Sequence, residues 1–434
     1  MKKEINSPVI GLSDSELKQQ IFQELEKYTF DGKSLLIIVP DNTRTIPLKL
    51  FFSSFQKALL KRVKKLDFLI ALGTHPAMTP EQILDHFGVT PSQAEQLGIH
   101  LLNHQWDDPH QLKLIGTLNS EQVQKITGGL LTEPIPVTIN QRIFEYDELI
   151  ILGPVFPHEV VGYSGGYKYF FPGISGPEII NAFHWLSALI TNPKTIGHPD
   201  TPSREIINQA AQFVPLPVTA FCLVMQGKVP LGLFTGDPIE SWQQAVHLSS
   251  QVNVVYKPKP FKKVISIAPT MYTELWVGGK CMYKLEPVVD DGGEIIIFAP
   301  HLKEISITHG KYLKEIGYHT RDYFLANWEK CQHVPKGIVA HSTHVKGIGT
   351  YQDGKEYPRI QVTLATGLPR ELCESINLGY LDYRSLNPNN YLGKEVEGIL
   401  VVPNAGEMLY RLQDGTTPDI DRLQRGERSF GVLT

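Results

Sequence analysis

The stretch KSLLIIVPDNTRTIPLKLFFSSFQKALLKRV (33–63) decides the fold. Its first part, 33–40, is a near-continuous apolar run, as expected of a strand covered on both faces. The run ends at Pro40 and hands over to DNTRTIP (41–47), after which a helical pattern follows with Pro47 near its start. Strand, loop and helix in that order are the repeating unit of a parallel α/β sheet. The loop leaves the carboxyl end of its strand, the edge at which such sheets bind ligands. Two readings of this loop stand side by side: Asp41 and Arg44 form a local ion pair, or Arg44 holds a carboxylate through two parallel hydrogen bonds.

The unit repeats outward from there. LDFLIALG (66–73) predicts a second strand, which runs into Thr74-His75-Pro76. Thr79-Pro80-Glu81-Gln82 then predicts a capping box with proline at the first helical position. His75 is therefore placed between a strand end and a helix start, a poor position for a core histidine and a good one for a reacting group. DELIILG (147–153) predicts a third strand ending at Gly153. It opens a glycine-rich loop carrying His158 and Lys168, and a helix restarting near Gly176–Pro177 carries His184. Ser164-Gly165-Gly166 reads either as an ordinary turn or as an anion-binding nest. The aromatic run Tyr169-Phe170-Phe171 reads as core packing ahead of substrate contact.

Residues 213–237 predict a hairpin around Gly227, followed by an amphipathic helix and a break at Lys257-Pro258-Lys259-Pro260. The alternation restarts with a strand at FKKVISIAP (261–269). A helix is expected over about 273–288, then strands at 292–301, 336–342, 359–366 and 397–406, with helical segments between. Trp276 and Lys280 fall just after the first strand of this half. The expected fold class is α/β. Two open, Rossmann-like α/β domains, 1–258 and 259–434, enclose an interdomain active-site cleft.

Bulk properties set the bounds. A chain of 434 residues is long for one core. Its net charge of −4 gives no basic footprint for nucleic acid and no polybasic membrane patch. No apolar run reaches the ~18–20 residues of a membrane helix. The start of the chain, MKKEINSPVIGLSDSEL, lacks the apolar core of a signal peptide. Cys222, Cys281, Cys331 and Cys373 are widely spaced with no CxxC pair, which suits a reducing cytoplasm. Neither GxGxxG after a first strand nor GxxxxGK[ST] is present, so an ordinary dinucleotide or triphosphate site is not supported. Paired histidines with an arginine and a lysine at strand ends suggest proton transfer on a carboxylate-bearing small molecule.

DNTRTIP, ALGTHPAMTPEQ and PHEVVGYSGGYKYFFPGISG with a downstream histidine together resemble the lactate racemase family, whose members use a nickel-pincer nucleotide. The resemblance is strong in the N-terminal half and looser beyond it. It implies that Lys168 carries the cofactor covalently and that His184 ligates the nickel, a sensible donor beside sulfur ligands. It implies His75 and His158 as acid/base groups on opposite faces of the substrate, and Arg44 and Lys280 as carboxylate contacts. Asp41, Thr43, Ser164, Gly165 and Gly166 would lie against the cofactor's nucleotide, and Trp328 would line the cleft. The implied reaction is racemisation or epimerisation of a 2-hydroxy acid by proton-coupled hydride transfer. Loading by separate cofactor-biosynthesis enzymes is implied as well. Trp276 stands where lactate racemases have a tyrosine four residues before the lysine. That leaves open a 2-hydroxy acid other than lactate, or C2 epimerisation of a polyhydroxy acid. Two other readings compete: a nickel-pincer oxidoreductase acting on a hydroxy acid, and a non-catalytic cofactor-binding protein.

Overall fold

The computed structural model describes residues 10–430. Part of the chain's start read above, 1–9, lies outside them. The chain divides into two compact units: 1–156 with 163–180 and 204–252, and 157–162 with 181–203 and 253–434. Two segments of the first half, 157–162 and 181–203, thus belong to the second unit. His158 and His184 are carried there, whereas Lys168 remains in the first.

The first unit is built on a six-stranded sheet. Its strands are β1 (Ser34–Pro40), β2 (Lys65–Ala71), β3 (Leu101–Asn103), β4 (Glu148–Pro154), β5 (Val218–Gln226) and β6 (Val229–Gly236). They are ordered β6-β5-β4-β1-β2-β3, and all neighbours are parallel except the β5–β6 hairpin. Every residue of β1 is buried, which is why its sequence is apolar without alternation. The helix Leu48–Leu59 packs Phe51, Phe52 and Phe55 into the core on one face of this sheet. The register pairs Pro40 with Ala71 and Ile38 with Ile151, so β1, β2 and β4 end at one rim. The chain moves from β1 to β2 on one side and returns as β4 on the other. The rim beside β1 is therefore a topological switch point, where open α/β sheets bind ligands.

The second unit holds a five-stranded sheet. Its strands are β7 (Phe261–Ile267), β8 (Val289–Ala299), β9 (Gln361–Thr366), β10 (Gly379–Tyr380) and β11 (Ile399–Val402). The order is β10-β9-β8-β7-β11, parallel throughout. Its switch point lies between β7 and β11. The loop after β11 comes close there: a Cβ on Gly406 would stand 2.7 Å from the Tyr272 ring and 3.1 Å from Lys280 Cβ.

Two expectations for this half are corrected. KGIVAHS is part of a helix, Lys336–Lys346, and not a strand. That helix is buried on nearly every side, and a short buried apolar run carries no periodicity to tell helix from strand. The helix expected over about 273–288 is broken into Leu275–Gly278, Lys280–Tyr283 and a 3₁₀ turn at Glu286–Val288. The Gly278-Gly279 pair and Pro287 stand at the breaks.

Candidate active site

Asp41 is the first residue past β1 and is buried. One carboxylate oxygen accepts from the Thr43 amide at 3.1 Å and from the Thr43 hydroxyl at 2.7 Å. The other lies 2.5 Å from His75 Nδ1. Burial is the largest influence on this carboxyl and acts upward. His75, Arg44 and the Thr43 hydroxyl outweigh it and hold the pKa well below the usual carboxylate range. An ionised Asp41 keeps a proton on His75 Nδ1 and leaves Nε2 as the basic nitrogen. The His75 side chain is 20% exposed against 5% for the Asp41 side chain, so the imidazole and not the carboxylate is the group a small molecule can meet. Arg44 lines an open cleft with Asn42, Lys49, Asp85 and His86.

The glycine turn stands at the end of β4. Phe156 and Ser164 exchange hydrogen bonds, Phe156 N–H to Ser164 Oγ at 2.9 Å and Ser164 N–H to the Phe156 carbonyl at 2.8 Å. Gly165 and Gly166 have φ of 84° and 58°, which requires glycine. A Cβ on Gly165 would sit 2.5 Å from Val155 Cγ2. The turn's carbonyls are held from below. Trp242 Nε1 donates to Ser164 O at 2.8 Å. The buried Arg204 donates to Gly165 O at 3.3 Å and to Tyr163 O, with its guanidinium 4.3 Å over the Trp242 ring. Lys168 follows on the short 3₁₀ helix Gly166–Tyr169 and is half-buried. Phe170 and Phe171 are fully buried and Tyr169 nearly so, so the aromatic run packs as core. Asp41 and Arg44 both act electrostatically on the Tyr169 phenol, which puts the lysine's neighbour beside the loop after β1.

In the second unit, His158 is buried and its Nδ1 accepts from the Val160 amide at 3.1 Å, with a Glu159 oxygen 3.4 Å away. Acceptance at Nδ1 places the proton of the neutral ring on Nε2. Lys284 fixes the segment by donating to Pro157 O at 2.6 Å and Glu407 O at 2.8 Å. Lys280 is buried with its ammonium 4.8 Å from the Tyr272 ring centre. Trp276 stacks on His341 at 4.0 Å and lies 4.5 Å from His309. Trp328 packs on Trp185 at 5.1 Å.

His184 lies on the helix Pro177–Ile190 and faces Gly337 of the Lys336–Lys346 helix: a Cβ there would be 3.9 Å from His184 Cβ. Asn181 accepts from the Gly337 amide at 2.8 Å, and the Ser187 hydroxyl, which donates to His184 O, lies 2.9 Å from His344 Nε2. His341 titrates well below an ordinary histidine, first through burial and then through His344, His309 and His184. Burial takes His344 down to about 4. These four imidazoles therefore share one neighbourhood.

The structure thus brings Asp41, Thr43, Arg44 and His75 together on the rim of the first unit, near the Ser164–Gly166 turn and Lys168. In the second unit it gathers His184, Trp276 and the segment leading to Lys280. Arg204, His309, His341 and His344 were not foreseen. For His341 and His344 the available signal was their spacing from Gly337, four and seven residues, which puts all three on one helix face.

Residues 15–197 match the lactate racemase N-terminal domain. A lactate racemase from Thermoanaerobacterium thermosaccharolyticum is 28% identical over 273 residues, 62% of this chain and 60% of that protein. One from Lactiplantibacillus plantarum is 29% identical over 177 residues, 39% of this chain and 37% of that protein. The chain thus spans less than two thirds of the length of these curated relatives. Among solved structures, a Thermotoga maritima structural-genomics protein superposes with a TM-score of 0.87 at 31% identity, covering 93% of this chain and 99% of that one. The lactate racemase apoprotein of T. thermosaccharolyticum superposes with a TM-score of 0.69 at 19% identity, covering 92% and 93%, and supports the fold. Residues 15–197 thus carry the likeness to a lactate racemase N-terminal domain. No helix among the described residues is long and apolar enough to cross a membrane.

Proposed function

We propose that the protein is an isomerase that interconverts the configurations of a 2-hydroxy acid at C2, with His75 and His158 as the proton-handling groups. The observation that carries this reading is the Asp41–His75 pair. A buried, ionised carboxylate 2.5 Å from Nδ1 orients the imidazole, while Nε2 remains to take a hydroxyl proton. His158, with its neutral-ring proton on Nε2, is the complementary group, a donor that returns a proton to the oxygen from the opposite face. Two proton-handling histidines suit a reaction that must run both ways. Arg44 and Lys280 bind the substrate carboxylate, for which guanidinium and ammonium are suited donors.

The donor set fits a nickel-pincer nucleotide. Among the described residues, no three His, Cys, Asp or Glu side chains are grouped to hold a metal ion. A metal that brings its own sulfur and carbon donors needs little more than one imidazole, which His184 provides. Lys168, half-buried beyond a rigid glycine turn, is the amine for covalent attachment. When bound, such a group supplies a carbon that accepts and returns the C2 hydride. The chain's own residues do the rest: they seat the carboxylate, move the hydroxyl proton and keep the imidazoles in register.

The test is protein produced together with the cofactor-biosynthesis enzymes. Expected are a nucleotide-sized mass adduct at Lys168, stoichiometric nickel, and racemisation of chiral 2-hydroxy acids with C2 protium retained in deuterated water. Deuterium appearing at C2 would refute the hydride route, and protein with neither adduct nor nickel would refute the cofactor assignment.

A further inference from the structure

His341 is packed against Trp276 and Gly279 of the candidate site, yet the proposed reaction gives it no task. Its ring stacks on Trp276 at 4.0 Å with 29° between planes. A Cβ on Gly279, the residue before Lys280, would lie 3.3 Å from His341 Cε1. On its own helix it stands one turn from Gly337, which abuts His184, and one turn from His344, which meets Ser187. Among the described residues its buried Nε2 has no hydrogen-bond partner. The Tyr318 hydroxyl, on a ring 6.0 Å from that of His341, has none either. Buried polar atoms without partners are rare in folded proteins, and two in one aromatic cluster mark a place where a bound molecule completes the hydrogen bonding.

We infer that His341 is a specificity-determining residue whose Nε2 hydrogen-bonds a hydroxyl oxygen on the side chain of the substrate, so that the preferred 2-hydroxy acids carry a further hydroxyl beyond C2. The inference rests on the racemase reading given above. The stack on Trp276 fixes the plane of the imidazole, and so the direction of its bond. An imidazole whose Nε2 is buried offers a single hydrogen bond there. It suits a neutral hydroxyl and not a second carboxylate, whose burial needs a charged partner. A plain alkyl side chain would leave Nε2 unpaired.

The test uses loaded protein and acids matched in length: 2-hydroxybutanoate, 2,4-dihydroxybutanoate and 2-hydroxybutanedioate. Binding is read by calorimetry and turnover by chiral chromatography. Wild type is expected to favour the dihydroxy acid over the alkyl acid by ~10- to 100-fold in both readouts. His341→Phe, which keeps the stack on Trp276, should bring that ratio to within about threefold, a residual difference of well under one hydrogen bond. His341→Gln, which keeps a donor, should retain part of it. Nickel content and adduct mass should be unchanged in both variants. Equal treatment of the two acids by wild type, a preference for the diacid, or an undiminished ratio in His341→Phe would overturn the inference. Racemisation with selectivity indifferent to His341 would remove this subsite and leave the racemase reading standing. Binding selectivity that depends on His341 without any racemisation would do the reverse. Binding of none of the acids would remove both.

Discussion

Asp41→Asn perturbs the candidate site at its most constrained point. The carboxylate accepts hydrogen bonds from the Thr43 amide, the Thr43 hydroxyl and His75 Nδ1. Asparagine can still accept both Thr43 bonds through Oδ1, but it then turns Nδ2, a donor, toward Nδ1 of His75. Two donors cannot pair. His75 must move its proton to Nε2, and the nitrogen that would take the substrate proton is no longer basic. Loss of a positioned general base lowers rates by about 10²- to 10⁴-fold. That corresponds to about 3–5 kcal/mol of transition-state stabilisation. Stability should fall as well, by about 1–1.5 kcal/mol, as a charge-assisted hydrogen bond becomes a neutral one.

The pH dependence has a definite sign. Burial pushes the Asp41 carboxyl up, but His75, Arg44 and Thr43 together hold it below the ordinary value. A folded pKa below the unfolded value of about 3.9 stabilises the protein fully above that pH, and the contribution is lost as pH falls through the folded pKa. The stability gap between wild type and Asp41→Asn should therefore be widest near neutrality and should narrow below about pH 4. Racemisation assays on loaded protein, with the mass adduct as a control for loading, read the first effect. Urea midpoints at neutral and acid pH read the second. A variant that racemises within about threefold of wild type with its adduct intact would refute the role given to the pair, because a positioned base contributes far more. So would a stability gap that widens on acidification.

Four further outcomes are expected. His158→Ala in loaded protein should abolish interconversion in chiral assays while leaving adduct and nickel in place; retained racemisation would remove His158 from the reaction. Lys168→Ala should lose the mass adduct and keep the circular dichroism and melting profile of wild type, since the side chain is half-buried outside the main core. Arg204→Met removes the guanidinium donor from the Tyr163 carbonyl and leaves Gly165 O only the Lys168 amide, and should cost ~1–3 kcal/mol in urea denaturation, with poorer loading at Lys168. Gly153→Ala places a Cβ 1.8 Å from the Tyr169 hydroxyl and should destabilise by ~1–3 kcal/mol through overpacking, read by the same denaturation.

The strands that set the rims were legible because they are buried on both faces. KSLLIIVP, LDFLIALG and DELIILG carry little polarity until they reach the loop, so the position of each rim follows from where the apolar run stops. His75 was legible for the same reason: it falls between a strand end and the capping box at Thr79 and Gln82, both found as expected. His184 was placed by the proline that opens its helix at Pro177. These are local signals, each complete within about ten to fifteen residues of chain, the reach of such periodicity and capping patterns.

What escaped the sequence depends on contacts between distant segments. Arg204 reads as one polar residue in an unremarked helix, because the carbonyls it serves belong to a turn about forty residues earlier. KGIVAHS reads as a strand through its Ile-Val-Ala run; only the surroundings that bury the longer segment 336–346 on nearly every side make it a helix. Misreading that element concealed the most informative feature of the second unit. Taken as a strand, Gly337 and His341 alternate with their neighbours and have no relation to His344. On a helix, all three lie on the face that meets His184 and Ser187. The lack of a side chain at Gly337 lets the helix approach, the imidazole at 344 anchors it through Ser187, and the imidazole at 341 stands a turn from each against Trp276. Gly337 and His344 account for the packing of this face without His341. An imidazole with a buried, unpaired Nε2 adds nothing to that packing that phenylalanine would not supply, and the subsite inferred above gives that nitrogen its partner.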